Sequence, residues 1–311
     1  MVVGKLDLER IKFLNDASGV AKIDKGYSGA VKFAFEKDGE KYFLKIGKFG
    51  VNYDLEKILT EANIPHPTIV ETGWYNKDIG YVIEKYVGGE NLKDALSKYD
   101  AEEFYDFGLE IGSKYRNLRK VYPDQPVSES LCDEYAKSID EKIKKLNDLL
   151  NLDDTMSLVS RRVMLAVAKF LQNSLCYVKD SLMVYGHTDV KPSNFLLRDG
   201  KILATDVEIT EYKEITASMI WAFARVDFED SKNLAFAQGY LAGLFNYNVP
   251  AGVWKCCNHN YAYNMVEYFV RYLERKDYEK LGRLLQHIAA NYLADGKIII
   301  DKYLWEKNNP L

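Results

Sequence analysis

A small antiparallel sheet carrying one helix, followed by a larger and mainly helical lobe, is the α+β, two-lobed architecture that this sequence predicts. Three observations lead there. Apolar and polar residues alternate through 20 to 46, which is the period of half-buried strands. From 92 to about 182 the apolar residues recur instead at the helical period of 3.6. Finally, the stretch 185 to 208, YGHTDVKPSNFLLRDGKILATDVE, gathers His187, Asp189, Lys191, Asn194 and Asp206 around a short apolar hairpin. The expected lobes run from 1 to 87 and from 88 to 311.

The elements follow in order. Leu6, Leu8, Ile11 and Leu14 give residues 1 to 16 a weak helical pattern suited to capping the first sheet. Val31, Phe33 and Phe35, a DGE turn at 38 to 40, and Tyr42, Leu44 and Ile46 make an antiparallel hairpin. The turn that feeds it is Gly26, Tyr27, Ser28 and Gly29, where two glycines let backbone N–H groups approach phosphate oxygens without a Cβ between. Lys45 alternates out of the second strand and is expected to point inward beneath that turn. Residues 52 to 62 read as a helix buried through Leu55, Ile58 and Leu59. A buried lysine needs a counter-charge, and this helix offers Glu56 or Asp54; Glu56 has the longer reach. Tyr81, Val82 and Ile83 form a last strand that runs into a hinge at 84 to 87. Gly88 and Gly89 then break the strand.

In the larger lobe, Phe104, Phe107, Ile111 and Leu118 mark one helix, Tyr135 to Leu150 a second, and Met164, Val167, Leu171 and Val178 a third. Then comes the hairpin: Phe195 to Leu197, a turn at Arg198, Asp199 and Gly200, and Ile202 to Ala204. It brings Asn194 beside Asp206, and an amide oxygen next to a carboxylate is a donor pair that suits Mg²⁺. Asp189, five residues earlier, is placed to accept a proton from an attacking hydroxyl, and Lys191 to offset charge on a transferred group.

These residues resemble a known family. HTDVKPSNFLL is similar to the catalytic loop of the protein-kinase-like superfamily, HRDLKxxN in protein kinases, and closer to the HGDxxxxN loop, hairpin and Asp of the aminoglycoside phosphotransferase and choline kinase branch. GYSGAV and YFLK resemble that branch's glycine turn and strand lysine, and the turn also resembles the protein kinase glycine-rich loop, with Asp24 standing where its first glycine would be. The resemblance implies Asp189 as catalytic base, Asn194 and Asp206 as magnesium ligands, His187 as a structural loop residue, Lys45 on the α- and β-phosphates, and ATP with Mg²⁺ as cofactors. It also implies that Glu84, Lys85, Tyr86 and Val87 would offer an adenine their backbone amides. It covers 20 to 89 and 183 to 225. The chain departs from protein kinases by reading DVE for DFG and by passing within about ten residues into an apolar helical pattern, TASMIWAFARVDF, with no room for a platform that holds a protein substrate. A small-molecule hydroxyl is therefore the expected acceptor, with a catalytically weak nucleotide-binding protein or a protein kinase as the alternatives. Glu208, Glu211, Glu214, Asp227, Glu229 and Asp230 form an acidic run in which Glu208, Asp227 and Glu229 are candidate contacts to a cationic substrate.

A net charge of −4 gives no electrostatic footprint for nucleic acid or an anionic membrane. No uncharged apolar run approaches the length of a bilayer, and Lys5, Asp7, Glu9 and Arg10 interrupt any export signal. Cys132, Cys176, Cys256 and Cys257 match no disulfide framework, which suits a reducing cytoplasm. Cys256 and Cys257 beside His259 read as packing more readily than as a metal site.

Overall fold

The computed structural model describes residues 7–23, 30–152, 156–186, 190–207, 212–216 and 231–291. The chain divides into two compact units, 1–95 with 193–211, and 96–192 with 212–311.

The first unit is built on a five-stranded antiparallel sheet in the order β1-β2-β3-β5-β4. Its strands are β1 (Ser18–Ile23), β2 (Val31–Lys37), β3 (Glu40–Gly47), β4 (Ile69–Asn76) and β5 (Ile79–Lys85). Lys37 pairs with Glu40, so only Asp38 and Gly39 make the turn between β2 and β3, both at positive φ (53° and 77°). That is the primed turn whose twist matches the strands, and it explains why Asp-Gly stands there. On one sheet face Phe33, Phe35, Tyr42, Leu44, Ile46 and Ile83 form the core with Ile11, and the Phe35 and Tyr42 rings stack at 5.4 Å. The expected N-terminal helix is instead a pair of 3-10 turns, Leu8–Arg10 and Lys12–Leu14, which cap this core. Three-residue turns let successive apolar side chains reach one flat sheet face, where a longer helix would turn half of them away. Strand periodicity leaves the opposite face to Lys32, Lys45, Val82 and Glu84. Helix α1 (Leu55–Glu61) buries Leu55, Ile58 and Leu59 as the sequence predicts.

A second, three-stranded sheet, β10-β9-β6, completes this unit. Strand β6 is Glu90–Asn91, β9 is Phe195–Arg198 and β10 is Lys201–Ala204. Arg198 pairs with Lys201, and Asp199 and Gly200 repeat the positive-φ turn of the first hairpin (50° and 71°).

The second unit is mainly helical. Its described helices are α2 (Ala101–Tyr115), α3 (Leu118–Val121), α4 (Glu129–Leu152), α5 (Leu158–Asn173), α6 (Cys176–Lys179), α7 (Ser231–Phe245), α8 (Ala251–Glu274) and α9 (Tyr278–Asn291). Asp100 starts α2 with a capping box, accepting from the Glu103 N–H while Glu103 accepts from the Asp100 N–H. Leu118 and Val178, expected on the long helices α2 and α5, fall on the short helices that follow them. A small sheet of β7 (Gln125–Pro126), β8 (Leu182–Tyr185) and β11 (Tyr212–Glu214) lies in the same unit. The apolar pattern at 217 to 230 lies outside the described residues.

Helix α8 is the buried centre of its unit. Cys256, Cys257 and His259 are fully enclosed in it, and among the described residues no group of three His, Cys, Asp or Glu is arranged to hold a metal. His259 Nδ1 meets Ser174 Oγ at 2.8 Å, and burial pushes its imidazole down to about 4. An unfolded histidine takes its proton near 6.5. Between those values the unfolded chain binds more protons than the folded one, so stability falls as pH drops through that window, by about 3 kcal/mol in all. Urea midpoints at pH 7.5 and pH 5 are expected to show about 2 kcal/mol of this loss in the parent relative to His259→Gln, which lacks the titrating ring.

Candidate active site

The site can be followed within the first unit alone. Tyr42, Leu44 and Ile46 turn into the core, so alternation commits Lys45 to the opposite face, where it is only 5% exposed. Its ammonium donates to the Asp206 carboxylate and lies 4.8 Å from the centre of the Phe49 ring. The buried ammonium thus meets a carboxylate and an aromatic face, both of which favour a cation.

The second hairpin supplies the carboxylate. Thr205 N–H donates to Asn194 C=O at 2.8 Å, so Asn194 and Asp206 flank the open end of the hairpin. Asn91 Nδ2 donates to Ser193 C=O at 2.8 Å and Leu92 N–H to Phe195 C=O at 2.9 Å, which fixes one arm from β6. Ala204 N–H donates to Pro65 C=O at 2.8 Å and fixes the other. Asp206 itself has φ +58°, a left-handed conformation that a short polar side chain tolerates better than most. Asn194 is 5% exposed.

Lys45, Phe49, Leu55, Thr72, Glu84 and Asp206 line one cavity. Glu84, expected to contribute backbone at the hinge, also brings its side chain to this cavity. Its side chain is 9% exposed on the Lys45 face of the sheet, and its carboxyl is pushed up to about 7, first by burial and then by the Asp206 charge, with Lys45 opposing. The signal was present in the alternation of Val82 and Glu84, but the register that sets Val82 opposite Lys45 is not written in either strand alone.

Other expectations are corrected. Neither Glu56 nor Asp54 pairs with Lys45. Glu56 Oε2 takes the Ile69 N–H at 2.7 Å and meets His66 Nε2 at 2.9 Å, while His66 Nδ1 meets Ile64 C=O at 2.7 Å. Two prolines around His66 hold that loop so that its ring reaches back to α1, and they turn a plain loop residue into a brace. Asp54 stands at the N-cap of α1. At the hinge, Lys85 N–H donates to Thr68 C=O and Tyr86 N–H to Lys41 C=O, both at 2.8 Å. Those amides are spent on the sheet, so Tyr86 offers none to a base. Glu214, expected on an acidic rim, is buried on β11, where Ser181 Oγ and Thr216 N–H donate to its carboxylate. Lys191 is half-buried in the second unit. Gly26, Tyr27, Ser28, Gly29, His187, Asp189, Glu208, Asp227 and Glu229 lie outside the described residues.

No protein-family model matches the sequence, and no curated protein matches it. Solved structures do match by fold. A thermostable mutant of aminoglycoside phosphotransferase APH(4)-Ia, in ternary complex with ADP and hygromycin B, is similar over 90% of this chain and 95% of its own, with a TM-score of 0.54 and 13% identity. A mutant of aminoglycoside 2'-phosphotransferase-IIIa with GDP is similar over 94% and 98%, with a TM-score of 0.59 and 14% identity. APH(2'')-IIIa with GDP and kanamycin is similar over 92% and 100%, with a TM-score of 0.54 and 14% identity. The likeness is one of fold: an antiparallel sheet lobe and a helical lobe, as in the kinase-like aminoglycoside phosphotransferases.

Proposed function

We propose that this chain is a kinase-type phosphotransferase that moves the γ-phosphate of ATP to a hydroxyl of a small molecule. The observation that carries the reading is the buried Lys45 ammonium joined to Asp206 at the end of the hairpin that also presents Asn194. The similar structures hold ADP or GDP, two of them with hygromycin B or kanamycin, which supports a nucleotide and a polyhydroxylated, cationic acceptor.

Residues 1–87 would bind the nucleotide and 88–311 would carry the catalytic loop and the acceptor pocket. Lys45 holds the α- and β-phosphates, and the turn from Gly26 to Gly29 covers them with backbone N–H groups. Oxygen donors on Asn194 and Asp206 fit Mg²⁺, and the strained backbone at Asp206 is what a fixed ligand position requires. When bound, that ion supplies positive charge against the phosphate oxygens. Asp189 orients the acceptor hydroxyl and takes its proton, and Lys191 sets positive charge near the group in transit. Glu208, Asp227 and Glu229 would receive a cationic acceptor. Four free cysteines are in keeping with a reducing, cytoplasmic setting.

ADP release, screened with aminoglycosides, amino alcohols and sugars, tests this. Asp189→Asn is expected to lower turnover by about 10² to 10⁴ while nucleotide binding stays within about threefold. Equal turnover in the two proteins removes Asp189 from the mechanism.

A further inference from the structure

We infer that Glu84, on the sheet, and not a carboxylate of helix α1, is the residue that positions Lys45 when the site is loaded; the inference rests on the nucleotide reading above. In the structure Asp206 supplies the anion for Lys45. The proposed chemistry gives Asp206 a second task as a ligand, and a carboxylate on the Lys45 face of the sheet is placed to take up the buried ammonium as Asp206 turns to that task. Glu56 is turned to the Ile69 N–H and the His66 ring, and Asp54 is exposed at the start of α1 with no side-chain cap bond.

Glu84 fits that place on three counts. Val82 lies directly across from Lys45, and Glu84 is two residues further along β5 on the same face. That is the diagonal cross-strand position, about 7–8 Å between backbones and within reach of two long side chains. Glu84 and Lys45 line the same cavity. And the Glu84 carboxyl is nine-tenths buried within reach of the Lys45 and Asp206 charges. Burying an acid beside a lysine is costly unless the two meet, and its retention there points to an arrangement in which they do.

The test measures Mg²⁺-ATP and Mg²⁺-GTP binding by calorimetry to the full chain and four variants. Glu84→Gln, equal in volume and without charge, is expected to weaken binding at least tenfold, and Glu56→Gln less than threefold. Glu84→Asp keeps the charge with a shorter reach and is expected to weaken binding at least threefold but less than Glu84→Gln does. A Kd for Glu84→Gln within threefold of the parent protein overturns the inference, as does an equal loss in Glu56→Gln. If Glu84→Gln does not fold, Glu84→Asp decides alone, and binding equal to the parent overturns it. Lys45→Ala separates the two levels: if it binds as well as the parent, or if the parent binds neither nucleotide, the nucleotide reading itself fails and takes this inference with it.

Discussion

Alanine at Gly112 or Gly239 is expected to destabilise the helical unit by about 3 kcal/mol, and leucine at either position to prevent its folding. Helices α2 and α7 cross with almost nothing between their backbones. Gly108 and Gly112 on α2, and Gly239 and Gly243 on α7, each stand one turn apart. A Cβ on Gly112 would fall inside the carbonyl oxygen of Tyr240, and one on Gly239 inside that of Tyr105. Each side would clash with main chain, which cannot swing aside as a side chain does. The helices would have to separate along their whole contact, and the close backbone approach with its Cα–H to carbonyl contacts would be lost. Gly282 is the control. It is exposed on α9 with nothing near its missing Cβ, so Gly282→Ala is expected to stabilise by about 0.5–1 kcal/mol. Urea unfolding followed by circular dichroism distinguishes the cases. A Gly112→Ala protein as stable as its parent would mean that the helices are not in this contact.

On the proposed reading, Asp206→Asn is expected to reduce phosphotransfer by on the order of a thousandfold with the fold intact, since the ion this carboxylate would hold supplies several kcal/mol of charge stabilisation. Asparagine tolerates the positive φ at 206 as aspartate does, so the substitution removes charge and adds no backbone strain. Asp206→Ala loses the charge and adds strain, and it should melt lower than the Asn variant. A pH signature accompanies the change. In the parent, the Glu84 carboxyl ionises near 4.5 when unfolded and near 7 when folded, so the unfolded chain holds fewer protons in between. Stability therefore falls as pH rises through that window. Removing the Asp206 charge takes away the second cause of the upward shift, and the pH dependence between 4.5 and 7 should flatten. The His259 contribution runs the other way in this window but is common to both proteins. The difference between parent and Asp206→Asn melting curves at pH 5 and pH 7.5 therefore reads it, and a difference equal at the two pH values would count against the closeness of the two carboxyls.

Much of this was legible in the residues. Asp-Gly pairs at 38–39 and 199–200 announced both hairpins, because few other dipeptides accept two successive positive φ values at so little cost. The apolar alternation that fixed the face of Lys45 was equally plain, as was the burial of α1. What the chain did not disclose were partnerships decided by register and by loops. Lys45 took Asp206 from 161 residues away, and Glu56 was claimed by a histidine whose direction depends on its flanking prolines. The hinge amides at 85 and 86 were assigned wrongly for a related reason. Whether a strand's last N–H groups are free depends on how far its neighbours extend, and here Thr68 and Lys41 reach them.

The Ala204 to Pro65 bond has a consequence for how this protein is taken apart. The sheet unit is assembled from two separate lengths of chain, so no single cut releases it whole. A recombinant fragment ending at residue 95 would take Asp206 away from the Lys45 ammonium and the Ala204 N–H away from the Pro65 carbonyl. Protease nicking anywhere in 96–192, by contrast, should leave both lengths associated, and they would co-elute on a sizing column although the covalent connection between them is gone.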